Sequence, residues 1–140
     1  MKVTLDRKNN DYHFEAIGNT GVPVFIDNSS GDEVNGASPM ELLLMGVGGC
    51  SAIDVISILK KQRQQIDRFH IDVDGKRKEE RDAKPFEAIH VTISLEGDIA
   101  PAKALRAGQL SFEKYCSVSI TLEKCVDVTY QINLNGENLN

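Results

Sequence analysis

Near the start of the chain, apolar and polar residues alternate with a period of two. Val3 and Leu5 alternate with polar neighbours, Asn9-Asn10-Asp11 reads as a turn, and Tyr12, Phe14 and Ala16 alternate with His13 and Glu15. That period belongs to half-buried strands. Gly18-Asn19-Thr20-Gly21 is a second turn, followed by Val22-Pro23-Val24-Phe25-Ile26. Pro23 lacks an amide hydrogen, so this third strand belongs at a sheet edge or a strand start. Asn28 to Ala37 is a loop rich in Gly, Ser, Asp and Asn.

The period then changes. Ser38-Pro39-Met40-Glu41 is a helix start: Ser38 and Glu41 can satisfy each other's amides, and Pro39 suits the first helical position. The helix is expected to run to about Gln64. Its first half is apolar on every face, which marks a buried helix, and it turns polar at Lys60-Lys61-Gln62-Arg63. Phe69, Ile71 and Val73 alternate again and lead into a charged surface stretch from Lys76 to Lys84. Ile89, Val91, Ile93 and Leu95 alternate with His90, Thr92, Ser94 and Glu96 to give the clearest strand, closed by Gly97-Asp98. A second helix is expected from about Pro101 to Tyr115, with Leu105, Leu110 and Phe112 on its apolar face. A short helical segment follows from about Ser117 to Lys124, and Val126 to Ile132 reads as the last strand. Grouped strands with two helices between them predict an α+β domain. No internal repeat or linker divides the 140 residues, so one domain, 1–140, is expected.

Composition narrows the function. The chain is 41% hydrophobic and 26% charged, as expected of a globular chain. Its net charge of -5 argues against nucleic-acid binding. The apolar run from Leu42 to Ile53 ends at Asp54 and is too short to cross a bilayer. No basic start precedes a short apolar run, and three cysteines without such a signal fit a reducing cytosol. The expectation is a cytoplasmic protein with no membrane partner.

The candidate chemistry lies in the cysteines. His13, His70 and His90 each fall on the polar side of a strand alternation, none at ligand spacing from another His or a Cys, and they read as solvated. Nothing in the spacing requires Cys50, Cys116 and Cys125 to converge on a metal. Gly46, Gly48 and Gly49 lie inside a helix, not in a phosphate-cradling loop, and suit close approach of another helix or backbone. Cys50 has two readings. Burial in an apolar helix and Asp54 one turn on both raise a thiol's pKa, so inert packing is the simpler one, and reactivity needs a cation from elsewhere. Cys116 directly precedes a short helix opened by Ser117 or Ser119, whose free amides favour a thiolate. Cys125 reads as a core cysteine.

Ser38-Pro39-Met40-Glu41-Leu42 through Gly49-Cys50-Ser51, together with Tyr115-Cys116-Ser117-Val118-Ser119, resembles the OsmC/Ohr family of osmotically inducible and organic hydroperoxide resistance proteins. The run Gly48 to Leu59 is similar in particular to the YhfA-like branch. The resemblance implies an intertwined homodimer around a pair of central helices, with sites at the subunit interface. It implies no cofactor. It implies that Cys50 attacks a small-molecule oxidant and becomes a sulfenic acid, that Cys116 resolves it as a disulfide, and that an unspecified thiol is the reductant.

Two departures from the family pattern stand out. Peroxidase members carry Glu directly after the motif proline, where this chain has Met40. Glu41 is one place late, which turns it about 100° around the helix axis; it is carried as a candidate catalytic residue beside its capping role. The family's activating Arg lies in a Gly-rich turn after the first strand, whereas Arg7 is the only arginine here before Arg63. The reading is therefore a thiol redox protein that reduces organic hydroperoxides or related oxidants through Cys50 and Cys116 in the oxidative stress response, with a small-molecule-binding or purely structural homologue as the alternative. A cation beside Cys50 would favour the first, and a closed apolar shell the others.

Overall fold

The structure is a computed structural model and describes every residue from Met1 to Asn140 except Arg81, which falls in the charged Lys76 to Lys84 stretch. The chain forms two compact units, Met1–Leu43 and Leu44–Asn140.

The first unit holds a three-stranded antiparallel sheet of β1 (Thr4–Arg7), β2 (Phe14–Ile17) and β3 (Pro23–Ile26), in the order β1-β2-β3. Pro23 begins an edge strand, as its missing amide requires. The β1–β2 turn is tied by the Arg7 guanidinium, which donates from Nε to the Asp11 carbonyl at 2.8 Å and from Nη2 to the Asn10 carbonyl. Tyr12 lies in this turn rather than in a strand and is exposed. His13 departs from the solvated reading. It is half-buried ahead of β2, its ring 5.5 Å from that of Phe25, and its Nε2 has no hydrogen-bond partner among the described residues.

Helix α1 (Pro39–Lys61) begins in the first unit and continues into the second. Its start is the expected reciprocal cap: the Ser38 amide donates to Glu41 Oε2 at 2.7 Å, and the Glu41 amide donates to Ser38 Oγ at 3.3 Å. It ends at Lys61, short of Gln64, because Arg63 takes a left-handed conformation (φ 57°). The Arg63 amide then returns to the Lys60 carbonyl and the Gln64 amide to that of Leu59. That closure usually uses glycine, so no sequence signal announced it. By length and composition α1 is also long and apolar enough to cross a membrane. The shorter run to Ile53 understated this, because apolar residues resume after Asp54 at Val55. Yet Val47, Val55 and Leu59 are fully buried, as in the core helix of a folded unit.

The second unit is built on a four-stranded sheet of β4 (Arg68–Arg77), β5 (Phe86–Glu96), β6 (Asp127–Leu134) and β7 (Glu137–Asn138), in that order. β4 pairs antiparallel with β5, and β6 pairs parallel with β5. A parallel neighbour needs a long crossover, and α2 (Pro101–Leu110) and α3 (Ser117–Leu122) supply it. The β5 alternation holds: Ile89, Val91, Ile93 and Leu95 form the centre of the core. Strand β6 extends to Leu134, and the unforeseen β7 follows a tight Asn135-Gly136 turn with φ of 50° and 86°.

Helix α2 stops at Leu110 rather than Tyr115. Ser111–Tyr115 widens into a π-helical turn, in which the Cys116 amide donates to the Ser111 carbonyl at 2.7 Å. The buried face is carried by Ala104, Ala107, Gly108, Ser111 and Phe112, while Leu105 and Leu110 are only half-buried. Gly108 is small for a reason: a Cβ there would stand 2.7 Å from Ile132 Cδ1.

Gly97 ends β5 with φ 142°, and a Cβ there would lie 2.2 Å from the Gln65 carbonyl oxygen and 2.9 Å from the Asp67 amide. These are backbone atoms that cannot swing aside. Gly97→Ala is expected to lower stability by about 2–3 kcal/mol, read as a lower urea midpoint with an unchanged slope.

Candidate functional site

Along α1, Gly48 packs on β4 so closely that a Cβ would come within 2.9 Å of Val73 Cγ2. Val47, Ser51, Val55 and Leu59 are buried at four-residue spacing. The Ser51 hydroxyl is satisfied within the helix, donating to the Val47 carbonyl at 2.8 Å. This stripe fixes the rotation of α1 and leaves Cys50 and Asp54, one turn apart, half-buried at its edge.

The π-helical turn brings the other half. Cys116 caps α3 and is fully buried; its Sγ lies 3.0 Å from Ser119 Oγ and accepts from the Ser119 amide at 3.5 Å. Cys50 Sγ is 3.9 Å from Ser117 Oγ. Ser111 Oγ donates to Asp54 Oδ2 at 3.3 Å. As a result the Cys50 thiol, the Cys116 thiol and an Asp54 carboxylate oxygen all lie within 4.8 Å of one another.

The two thiols differ in their readiness to ionise, and the order reverses the sequence expectation. At Cys50 burial opposes the thiolate most strongly. The Val118 amide, the Cys116 thiol and the Ser117 hydroxyl overcome it and hold the pKa below the ordinary value, against the pull of Asp54. Among the described residues no cation acts on Cys50; the first turn of α3 supplies neutral donors instead. At Cys116 burial again acts most strongly. The Ser119 hydroxyl and amide only partly offset it, and a hydrogen bond to and charge on Cys50 raise the pKa further. The amides expected to favour a Cys116 thiolate are real, but a fully buried sulfur loses more from desolvation than they return.

Cys125 is exposed, not core. Helix α3 ends at Leu122, two residues earlier than expected, so Cys125 falls in the turn beyond it and Val126 takes the buried place. Glu41 is engaged with Ser38, whose hydroxyl and amide hold its carboxyl below the usual range. Arg7 is engaged with its own turn. His70 and His90 are exposed and pair with Asp72 at 3.2 Å and Thr129 at 2.8 Å. Sequence reasoning missed Ser111, Ser117 and the Val118 amide as partners of the site. The serines adjoining Cys116 were in view, but Ser111 reaches Asp54 only through a π-helical turn that no residue pattern marks.

A thiol pair held by a core helix and the capped start of a short helix, on this order of strands, defines a class. The OsmC-like protein family model matches residues 30–131, and the chain belongs to that family. Protein YhfA of Escherichia coli K12 is 43% identical over 112 residues, covering 79% of this chain and 81% of that protein. A hypothetical protein from Aquifex aeolicus is similar in structure, with a TM-score of 0.81, 29% identity and 96% coverage of both chains. The organic hydroperoxide resistance protein OhrB of Bacillus subtilis shares the fold, with a TM-score of 0.61, 23% identity and 96% coverage of both.

Site-resolved alkylation against pH should find Cys50 modified from a lower pH than Cys116. Because Asp54 works against the Cys50 thiolate, Asp54→Asn should move the Cys50 midpoint lower still and speed alkylation at pH 7. A midpoint that rises in Asp54→Asn would contradict the electrostatic account.

Proposed function

We propose that this chain is a cytoplasmic thiol redox protein that reduces organic hydroperoxides or related electrophilic oxidants through Cys50 and Cys116. The observation that carries the reading is the convergence of the two thiols within 4.8 Å, one half-exposed and one fully buried. The name of the OhrB neighbour agrees with this chemistry.

In the proposed cycle the Cys50 thiolate attacks the distal oxygen of ROOH. The O–O bond breaks, ROH leaves with a proton, and Cys50 becomes a sulfenic acid. The Cys116 sulfur then displaces the hydroxyl, which departs as water with the Cys116 proton, and the S–S bond forms. Two equivalents of an external thiol restore the dithiol and are themselves oxidised to a disulfide. Only sulfur carries electrons, so no cofactor enters. The groups that favour the Cys50 thiolate are neutral, and a thiol so modestly activated is expected to turn over slowly.

The same reading includes a homodimer. The face of α1 that carries Met45, Gly49 and Ile53 is exposed, with Met45 at 56% and Ile53 at 67%, and a Cβ on Gly49 would meet nothing within 4 Å. Each large apolar side chain left in water costs about 1.5–3 kcal/mol relative to burial, so a second copy of α1 is the expected cover. Neither nucleic acid nor membrane is a partner in this reading.

Two measurements test it. Stopped-flow consumption of an organic hydroperoxide should be lost in Cys50→Ser. In Cys116→Ser the first turnover should survive and leave a trappable sulfenic acid. Consumption that persists in Cys50→Ser would refute the assignment. Light scattering should give a dimer for the native chain and a smaller species for Ile53→Asp; a folded native monomer at micromolar concentration would refute the dimer.

A further inference from the structure

The peroxide chemistry has no use for Asp54. Its carboxylate opposes ionisation of the neighbouring thiol, and among the described residues no lysine, arginine or histidine pairs with it. Among the described residues its carboxylate accepts one hydrogen bond, from the Ser111 hydroxyl to Oδ2. Yet α1 places it one turn from Cys50, so that its oxygen and both sulfurs lie within 4.8 Å of one another.

We propose that, in the reduced protein, Cys50, Asp54 and Cys116 form a binding site for a thiophilic divalent cation, Zn2+ in the first instance. Two thiolates and one carboxylate are the donor set that zinc takes. Two sulfurs bound at about 2.3 Å to one tetrahedral ion stand about 3.8 Å apart. The pair therefore needs to close by no more than about 1 Å from its present separation of at most 4.8 Å. The Ser111 hydroxyl donates to the carboxylate at Oδ2, the kind of outer-sphere contact that orients ligands in metal sites. Ser119 holds the Cys116 sulfur in the same way. Cys50 and Asp54 are half-buried in the single chain, so the site is not sealed within it. The cation would relieve the repulsion between three gathered acidic groups when both sulfurs are thiolates.

Binding requires only the reduced thiols, so the proposal stands or falls separately from peroxide turnover. The test uses reduced full-length protein without oxygen, titrated with Co2+ and then Zn2+. One Co2+ per chain should bind with thiolate-to-metal charge-transfer absorption, and Zn2+ should displace it. The absorption should vanish in Cys50→Ser and in Cys116→Ser. Affinity should fall at least tenfold in Asp54→Asn, with folding checked by circular dichroism, and should be unchanged in Cys125→Ser. Absence of the charge-transfer absorption, its survival in Cys116→Ser, its loss in Cys125→Ser, or Asp54→Asn binding as tightly as the native chain would each overturn the proposal.

Discussion

Helix α1 is set on its sheet by Gly48, where a Cβ would stand 2.9 Å from Val73 Cγ2, so the missing side chain lets the backbone approach. Val47, Ser51, Val55 and Leu59 follow at four-residue spacing, and each is fully buried. A shift of one residue would turn the helix about 100° and carry Cys50 away from the start of α3. The position of the first thiol is therefore a consequence of packing, not of any interaction made by the sulfur. The second thiol is placed by the π-helical turn Ser111–Tyr115, which adds a residue to the helical winding and delivers Cys116 to the cap of α3. π-helical turns recur at functional sites because they re-aim side chains in this way.

Once the sulfurs are together, small electrostatic differences assign them different characters. One pKa unit corresponds to about 1.4 kcal/mol, comparable with a single hydrogen bond to a charged group. Cys50 receives several such donors and retains some exposure. Cys116 has fewer donors and no exposure. The partly exposed sulfur is thus the more readily ionised of the two, and the fully buried one the less. The Val118 amide and the Ser117 hydroxyl favour the Cys50 thiolate, but less than a guanidinium would, since a full charge at hydrogen-bond distance outweighs a neutral donor.

Much of this was legible in the residues. The β5 alternation, the capping box at Ser38 and Glu41, the edge position of Pro23 and the α+β order all follow from local patterns, and the contexts of Cys50 and Cys116 identify the family. What was not legible depends on tertiary structure. Arg63 closes α1 in a left-handed conformation that a sequence reading assigns to glycine. Ser111 and Asp54 are linked only because a helix widens between Leu110 and Cys116. The order of the two thiol pKa values was misread because helix-end amides are visible in a sequence and depth of burial is not. One miss was avoidable: Asn135-Gly136 is a strong hairpin signal, and it does turn β6 into β7.

The central claim is that Cys50 and Cys116 act as one redox unit. Peptide mapping of the reduced protein after one equivalent of an organic hydroperoxide tests it most directly. The account predicts a single new crosslink between the peptides carrying Cys50 and Cys116, with Cys125 still alkylatable as a free thiol. A crosslink through Cys125, or a Cys50 oxidised to sulfinic acid while Cys116 remains a free thiol, would contradict it.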